Sequence, residues 1–503
     1  MRLIVVSNRV SVPSNDGVQA GGMTVGIRGT LDRCGGVWLG WSGRLAGDGH
    51  ARRHHENRNG VDYITVDLPT NDFQGYYTGF ANQVLWPLFH GRLDLVAFDP
   101  HAYGAYCRIN AHFADELVRV IDVDDVIWVH DYHLIPLAYA LRQRGVRNRI
   151  GFFLHTPFGD PADVMKLKVR DDLAQFLDAF DVLGFQTNDD LRAFRGFMAA
   201  QSWLNHRQPM RRAMPPLAAT FPIGIDTSEF EAMARAELKD LRLRAAFEKL
   251  GSGASPIIAV DRLDYSKGIP ERLCAFETFL TLHPEFAGRV GLIQVAPKSR
   301  DSVPAYRAEA KRVNRALSGL CATHEWGAFP PAQLLTDGVD RRSIAAAYRR
   351  SRVALVTPLR DGMNLVAKEY VAAQDPDDPG VLVLSPHAGA GAELSDGALM
   401  VDPHDPIAVA QALERALTME RGERQQRWAA MMRPIRRNDV GNWATTFLAA
   451  LTSEDRRVRE PVPAIVSDPQ PVPAGARVSP ALQPAIHPAR SSRAYASDSK
   501  GSG

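Results

Sequence analysis

Short apolar runs recur along this chain, each followed by a stretch of helix length whose apolar residues return every three or four positions. RLIVVS, YITVDL, DVIWVH, IGFFLH and DVLGFQ punctuate the first half, and PIIAVD, VGLIQVA, RVALVTP and GVLVLS the second. Between them lie segments such as AYCRINAHFADELVRVI and LIPLAYALRQRG, the latter closed by Gly145. Runs that are apolar throughout, rather than alternating with polar residues, belong to parallel strands covered on both faces. Their alternation with helices predicts a doubly wound α/β architecture.

The pattern breaks near FPIGIDTSEF (221–230), after which the chain is charged and helical until the loop GSGASP. The expected organisation is an N-terminal Rossmann-like lobe over 1–226, a connecting segment over 227–255 and a C-terminal Rossmann-like lobe over 256–452. The last helix is expected to pack back on the first lobe. The tail, 453–503, is rich in Pro, Ser and Ala without apolar periodicity and reads as disordered. Two such lobes leave a cleft faced by the C-terminal ends of their strands.

Composition narrows the class. The 503 residues are 45% hydrophobic, with 59 Lys and Arg against 57 Asp and Glu. That balance excludes a general nucleic-acid binder, whose basic stripe would appear as an excess. No apolar run reaches the roughly 18 residues that span a bilayer, and the opening MRLIVVSNRV reads as a strand, not a signal peptide. Cys34, Cys107, Cys274 and Cys321 lie far apart without a CxxC pair, which fits reduced thiols in a cytoplasmic protein.

Charge gathers at the strand ends. VVSNR ends in Asn8 and Arg9, VIWVHDYH in His130, Asp131 and His133, and GFFLHTPF in His155. IIAVDRLDYSKG carries Arg262 and Lys267, LIQVAPKSR carries Lys298 and Arg300, and ALVTPLRDGMN carries Arg360, Asp361 and Asn364. Such loops arising from both halves predict a polar cleft. Arg9, Arg262, Lys267 and Arg300 suit phosphate groups, Arg by bidentate contact and Lys as a point charge. Taken singly, each also reads as a surface ion-pair partner.

Other features add less. In VQAGGMTVGIRGTL, Gly21 and Gly22 would let backbone N–H groups come close to a phosphate or sugar. The spacing is neither GxGxxG nor GxxxxGK[ST], which sets aside a dinucleotide oxidoreductase and a P-loop NTPase. Trp38, Trp41, Tyr76, Tyr77, Trp86 and Phe89 all suit core packing, Trp38 best, and a Trp or Tyr beside polar loops is equally suited to stacking on a sugar face. HDYH (130–133) lacks a third ligand at suitable spacing, so no metal site is expected there. Hydrogen bonding to sugar hydroxyls suits Asp131 better.

Taken together, VVSNRV, AGGMTVGI, WLGWSG, YYTGFANQVLWPLFH, VIWVHDYHL, FFLHTPF, FPIGID, VDRLDYSKGI, APKSR, TPLRDGMNLVAKEYVAAQ and VLVLSPHAGA resemble the trehalose-6-phosphate synthases. These are retaining glycosyltransferases of the GT-B fold, and the similarity runs from about residue 1 to 452. The resemblance implies transfer of glucose from a nucleotide donor to glucose 6-phosphate, giving α,α-trehalose 6-phosphate. UDP-glucose stands first among UDP-, ADP- and GDP-glucose. Arg9, Tyr77 and Arg300 would hold the acceptor's phosphate, and Trp41, Trp86 and Asp131 would contact its sugar. Gly21, Gly22, Arg262 and Lys267 would face the donor diphosphate, and His155 and Asp361 the donor glucose. The backbone of Met363, Asn364 and Leu365 would follow the diphosphate and nucleoside, with Gly362 allowing close approach, Val339 near the base and Glu369 on the ribose. Arg262, Lys267, Asp131, His155 and Asp361 form the expected catalytic set.

The implied mechanism is same-face attack, in which the leaving phosphate takes the acceptor's proton, with no cofactor and no metal. No pair of carboxylates stands out as nucleophile and acid, so positioning and charge stabilisation carry the rate. A helix starting near Asn364 would turn its unpaired N–H groups toward the departing diphosphate. Read alone, Asp361 is also a plain N-terminal capping residue. Val339 departs from the family, whose members often carry a bulky aromatic there, which bears on the donor's base. The tail is too short for a phosphatase domain, so dephosphorylation is expected to need another protein.

The implied partners are small-molecule substrates, not nucleic acid or membrane, and a homo-oligomer, dimer or tetramer, is compatible with the sequence. The loop from Arg9 to Gly22 is the segment expected to move on lobe closure. Two other readings stay open: a same-fold enzyme acting on an acceptor such as glycerol 3-phosphate, and a catalytically silent regulatory homologue.

Overall fold

The computed structural model describes residues 1–13, 22–47, 52–204, 215–251, 253–300, 302–324 and 330–453. Gly21, the central part of the Arg9–Gly22 loop (14–21) and the tail from 454 onward lie outside the described residues. The first sheet contains β1 (Leu3–Arg9), β2 (Gly36–Ala46), β3 (Arg53–Arg58), β4 (Val61–Pro69), β5 (Val126–His130), β6 (Arg149–Phe153), β7 (Val182–Phe185) and β8 (Leu217–Thr220). Their order is β3-β4-β2-β1-β5-β6-β7-β8. Only β3 is antiparallel, closing the edge as a hairpin with β4.

The second sheet contains β9 (Ser255–Val260), β10 (Val290–Val295), β11 (Ala332–Leu335), β12 (Val353–Val356), β13 (Val381–Leu384) and β14 (Leu399–Met400). It is parallel throughout, in the order β11-β10-β9-β12-β13-β14. Consecutive residues Ile4, Val5 and Val6 of β1, and Leu382, Val383 and Leu384 of β13, are fully buried. Neighbours on a strand face opposite sides of a sheet, so both faces are covered, which is why these runs are apolar throughout.

Each sheet has a switch point. β1 lies between β2 and β5, and β9 between β10 and β12. Chain order reverses there and opens a crevice at the carboxyl ends, where ligands bind in doubly wound folds.

The chain crosses between the sheets twice, near 221–226 and near 438–440. At the second crossing the Val440 N–H donates to the Ile225 carbonyl (3.2 Å). The helix Val440–Thr452 then packs on β6, β7 and the helix Gly22–Cys34 of the first sheet. Its Trp443, Phe447 and Leu451 are buried, Phe447 stacked on Trp128 at 4.7 Å. Between the crossings, the fully buried Lys368 donates to the Ile223 carbonyl (2.9 Å) and pairs with Glu393. Among the described residues no helix is long and apolar enough to cross a membrane.

Candidate active site

The loops leaving the two crevices are sharply bent. Among the described residues, four non-glycine positions have positive φ: Asn59, Asp131 (76°), Arg300 (53°) and Asn364 (60°). The last three follow β5, β10 and β12, and such strain persists chiefly where the surroundings over-determine it, as at ligand sites. Asp131 pairs its φ with a ψ of 163°, a combination that suits glycine. Asp131→Gly is therefore expected to be more stable than Asp131→Ala by about 1 kcal/mol in thermal unfolding, although both remove the carboxylate.

After β9 the chain makes a short turn over Tyr265–Lys267, closed by Gly268 at φ 64°. Arg272, almost wholly buried, pins this turn: Nη2 donates to the Lys267 carbonyl (3.1 Å), Nη1 to Asp261 (2.7 Å) and Gln294 (2.8 Å), and Nε to Thr357 (3.0 Å). Lys267 is thereby directed at Asp361, with which it forms an ion pair. Asp361 also accepts from its neighbours Gly362 N–H (3.0 Å) and Asn364 Nδ2 (2.9 Å). The helix Leu365–Ala373 that follows has no side-chain cap, so Asp361 is not a capping residue.

A cavity of about 350 Å³ opens between these elements. Arg262, Lys267, Asp361, Asn364, Leu365 and Glu369 line it, together with Val339 and Arg341. It thus combines cations, a helix N-terminus, a carboxylate and an apolar wall, the groups that a nucleotide-linked sugar requires. Gly362 is also held by the packing of the fold. A Cβ there would lie 2.0 Å from the His155 carbonyl oxygen of the first lobe, so the lobes touch at this glycine.

Beside the cavity, Trp86 gathers the cations. The guanidinium of Arg300 lies 3.9 Å from its ring centroid and that of Arg262 5.3 Å. His90 stacks on the same indole at 4.1 Å, and the indole Nε1 has no partner. Tyr77 is stacked between Phe73 (5.2 Å) and His133 (5.6 Å). Arg9, at the exposed end of β1, sits 5.8 Å from the Trp41 ring, while the Trp41 Nε1 donates to the Arg44 carbonyl (2.7 Å).

Burial sets the charge states. It pushes the Asp131 carboxyl up to about 6, against backbone donors at Tyr132 and His155 and the more distant Arg300 and Arg262. It drives the His155 imidazole down to about 3, leaving it neutral, 3.1 Å from His130 Nδ1. Burial also raises Asp361, but Lys267 outweighs it and, with His90 and Arg262, holds the carboxyl below the ordinary carboxylate range. Glu369 is pushed up to about 7 by burial, with Arg341 opposing.

The family model described as Glycosyltransferase family 20 matches residues 3–453. The chain belongs to glycosyltransferase family 20. It is 44% identical over 468 residues to a trehalose-6-phosphate synthase of Klebsiella pneumoniae subsp. pneumoniae, covering 91% of this chain and 98% of that one. Among solved structures it resembles the enzyme from E. coli bound with UDP-2-fluoro glucose (TM-score 0.84, 41% identity, 92% and 100% of the two chains). It equally resembles an α,α-trehalose-phosphate synthase from Burkholderia xenovorans in complex with glucose 6-phosphate (TM-score 0.84, 42% identity, 90% and 100%). The chain is a glycosyltransferase with the GT-B fold, as the sequence led us to expect.

For this family 20 member, the structure brings Arg262, Lys267, Val339, Asp361, Asn364, Leu365 and Glu369 to one cavity. Met363 is buried, with its carbonyl accepting from the Ala390 N–H (2.8 Å). Gly22 opens the helix Gly22–Cys34. Sequence reasoning did not single out Arg341, whose Nη1 pairs with Glu229 (2.8 Å) beside the cavity, nor Asp264, Tyr306 and His90 around Arg300 and Trp86. Asp264 and Tyr306 stand in or next to quoted motifs, but only the folded chain gives them a partner.

Proposed function

We propose that this chain transfers glucose, with retention, from UDP-glucose to glucose 6-phosphate, forming α,α-trehalose 6-phosphate and UDP. The carrying observation is the cavity that Arg262 and Lys267 share with an uncapped helix N-terminus and with Glu369 of the same helix, next to the Arg300–Trp86 cluster. The relatives of similar fold that hold a UDP-glucose analogue and glucose 6-phosphate support the two substrates. The second lobe takes the donor and the first lobe most of the acceptor, with 227–255 as the connecting segment.

In this reading Arg9, Tyr77 and Arg300 hold the acceptor phosphate, and Asp131, Trp41 and Trp86 its sugar. His155 and Asp361 orient the donor glucose. The acceptor's anomeric hydroxyl oxygen bonds to donor C1 as the bond from C1 to the β-phosphate oxygen breaks. The hydroxyl proton passes to that departing oxygen, so no protein base is required. Arg262, Lys267 and the N–H groups at Asn364–Leu365 stabilise the charge that gathers on the diphosphate. Gly21 and Gly22 would approach the same group.

Glu369 gives a pH signature. A carboxylate accepts from ribose hydroxyls, whereas the protonated form must first lose its proton. The donor KM is therefore expected to be about tenfold higher at pH 6 than at pH 8, a dependence that Glu369→Gln abolishes. By linkage, the stability contributed by the protonated Glu369 is full below its ordinary value of 4.5 and is lost as pH rises through about 7.

The test is identification of the product by NMR after incubation with UDP-glucose and glucose 6-phosphate. A non-reducing disaccharide phosphate with two α-anomeric protons is expected. A reducing product, or transfer only to glycerol 3-phosphate, would overturn the assignment.

A further inference from the structure

Arg300 is held in an unusual way. Its side chain is 6% exposed, yet its nearest carboxylate, Asp264, stands off at 3.8 Å. The contacts within hydrogen-bond distance are instead two neutral hydroxyls. Nη1 donates to the Tyr306 oxygen (2.5 Å) and Nη2 to the Tyr132 oxygen (3.0 Å). Each hydroxyl donates a hydrogen bond outward in turn, Tyr306 to Asp264 Oδ2 (3.0 Å) and Tyr132 to Asn82 Oδ1 (2.9 Å). All four supporting residues are buried, and burial keeps both phenols protonated. The Arg300 Nε has no partner.

A guanidinium buried for structural reasons is ordinarily compensated by a carboxylate in direct contact, as Arg272 is by Asp261 (2.7 Å). Here the carboxylate acts one hydroxyl away. The plane of the guanidinium is fixed by two acceptors and by the Trp86 ring 3.9 Å away, while its charge has no carboxylate in direct contact and its Nε–H is left unpaired. The two hydroxyls also come from different lobes. Tyr132 follows β5 of the first sheet, and Tyr306 lies in the helix Pro304–Thr323 after β10 of the second.

We propose that Tyr132 and Tyr306, backed by Asn82 and Asp264, are positioning residues that set Arg300 for the acceptor's phosphate, one hydroxyl from each lobe. The proposal rests on Arg300 being the residue that meets that phosphate. It couples phosphate recognition to the juxtaposition of the lobes, because neither lobe alone supplies both hydroxyls.

Tyr306→Phe and Tyr132→Phe remove one hydroxyl each and keep the rings. In each, the KM for glucose 6-phosphate is expected to rise about tenfold while the donor KM moves less than about twofold. The ratio of kcat/KM for glucose 6-phosphate to that for glucose falls by the same factor. A role confined to stability would lower both acceptors together, and that result overturns the proposal, as does an unchanged acceptor KM in both variants. If Tyr306→Phe does not fold, Tyr132→Phe carries the test from the other lobe. Arg300→Gln separates the two levels. Loss of the phosphate preference there, with silent tyrosine variants, removes the positioning role and leaves the Arg300 assignment standing. Retention of the preference in Arg300→Gln removes both.

Discussion

Arg262→Ala is expected to lower kcat by about a hundredfold to a thousandfold, the cost of removing one preorganised donor from a group that gains charge in the transition state. Its melting temperature should stay close to that of the parent. The two expectations come from the same observation. Arg262 is exposed and, among the described residues, makes no hydrogen bond or ion pair, resting only against the Trp86 ring. Removing it therefore strands nothing. Lys267→Ala differs in kind, because Asp361, largely buried, is left without its cation. That variant should lose turnover to a similar degree and stability as well, through the penalty of an unpaired carboxylate. Steady-state kinetics beside thermal unfolding separates the two cases. Near-parental turnover in Arg262→Ala would remove it from the diphosphate site.

Lys368→Met is expected to cost about 3–5 kcal/mol of stability, as in other broken buried ion pairs. Lys368 has no exposed surface, and its ammonium, lowered by burial, is shared between Glu393 and the Ile223 carbonyl. Glu393 in turn accepts from Asn438 Nδ2 (2.5 Å). One cluster thus joins the helix at the donor cavity to both crossings of the chain, at 221–226 and 438–440. The substitution leaves Glu393 without its cation. Chemical denaturation should show the loss, and Lys368→Met combined with Glu393→Gln should recover part of it. A variant as stable as the parent would show that the cluster does not hold the crossings together.

The parallel strands were legible because burial on both faces demands unbroken apolar runs, as in RLIVVS and GVLVLS. β2 was not, since glycines and Ser42 interrupt GVWLGWSGRLA and break its apolar run. β3, RHHENR, is an exposed edge strand with no apolar signal at all. β14 has only two residues, and β8 (LAAT) and β11 (AQLL), as short as β12 and β13, lack their unbroken run of large apolar residues. At the site, the charged ends of β9 and β12 could be read from the sequence because charge after an apolar run marks a sheet edge. The supports could not. Tyr306 meets Asp264 across 42 residues and Arg300 meets Tyr132 across 168, pairings that local sequence does not record. Gly362 was singled out on the sequence for ligand approach; the further constraint there, the His155 carbonyl of the other lobe, which leaves no room for a side chain, is not visible in local sequence.

Release of UDP from UDP-glucose, followed with and without glucose 6-phosphate and without added metal, tests the central claim most directly. Release that depends on glucose 6-phosphate, and that falls by orders of magnitude in Arg262→Ala, is the expected result. Release independent of the acceptor, or none with UDP-, ADP- or GDP-glucose, would contradict it.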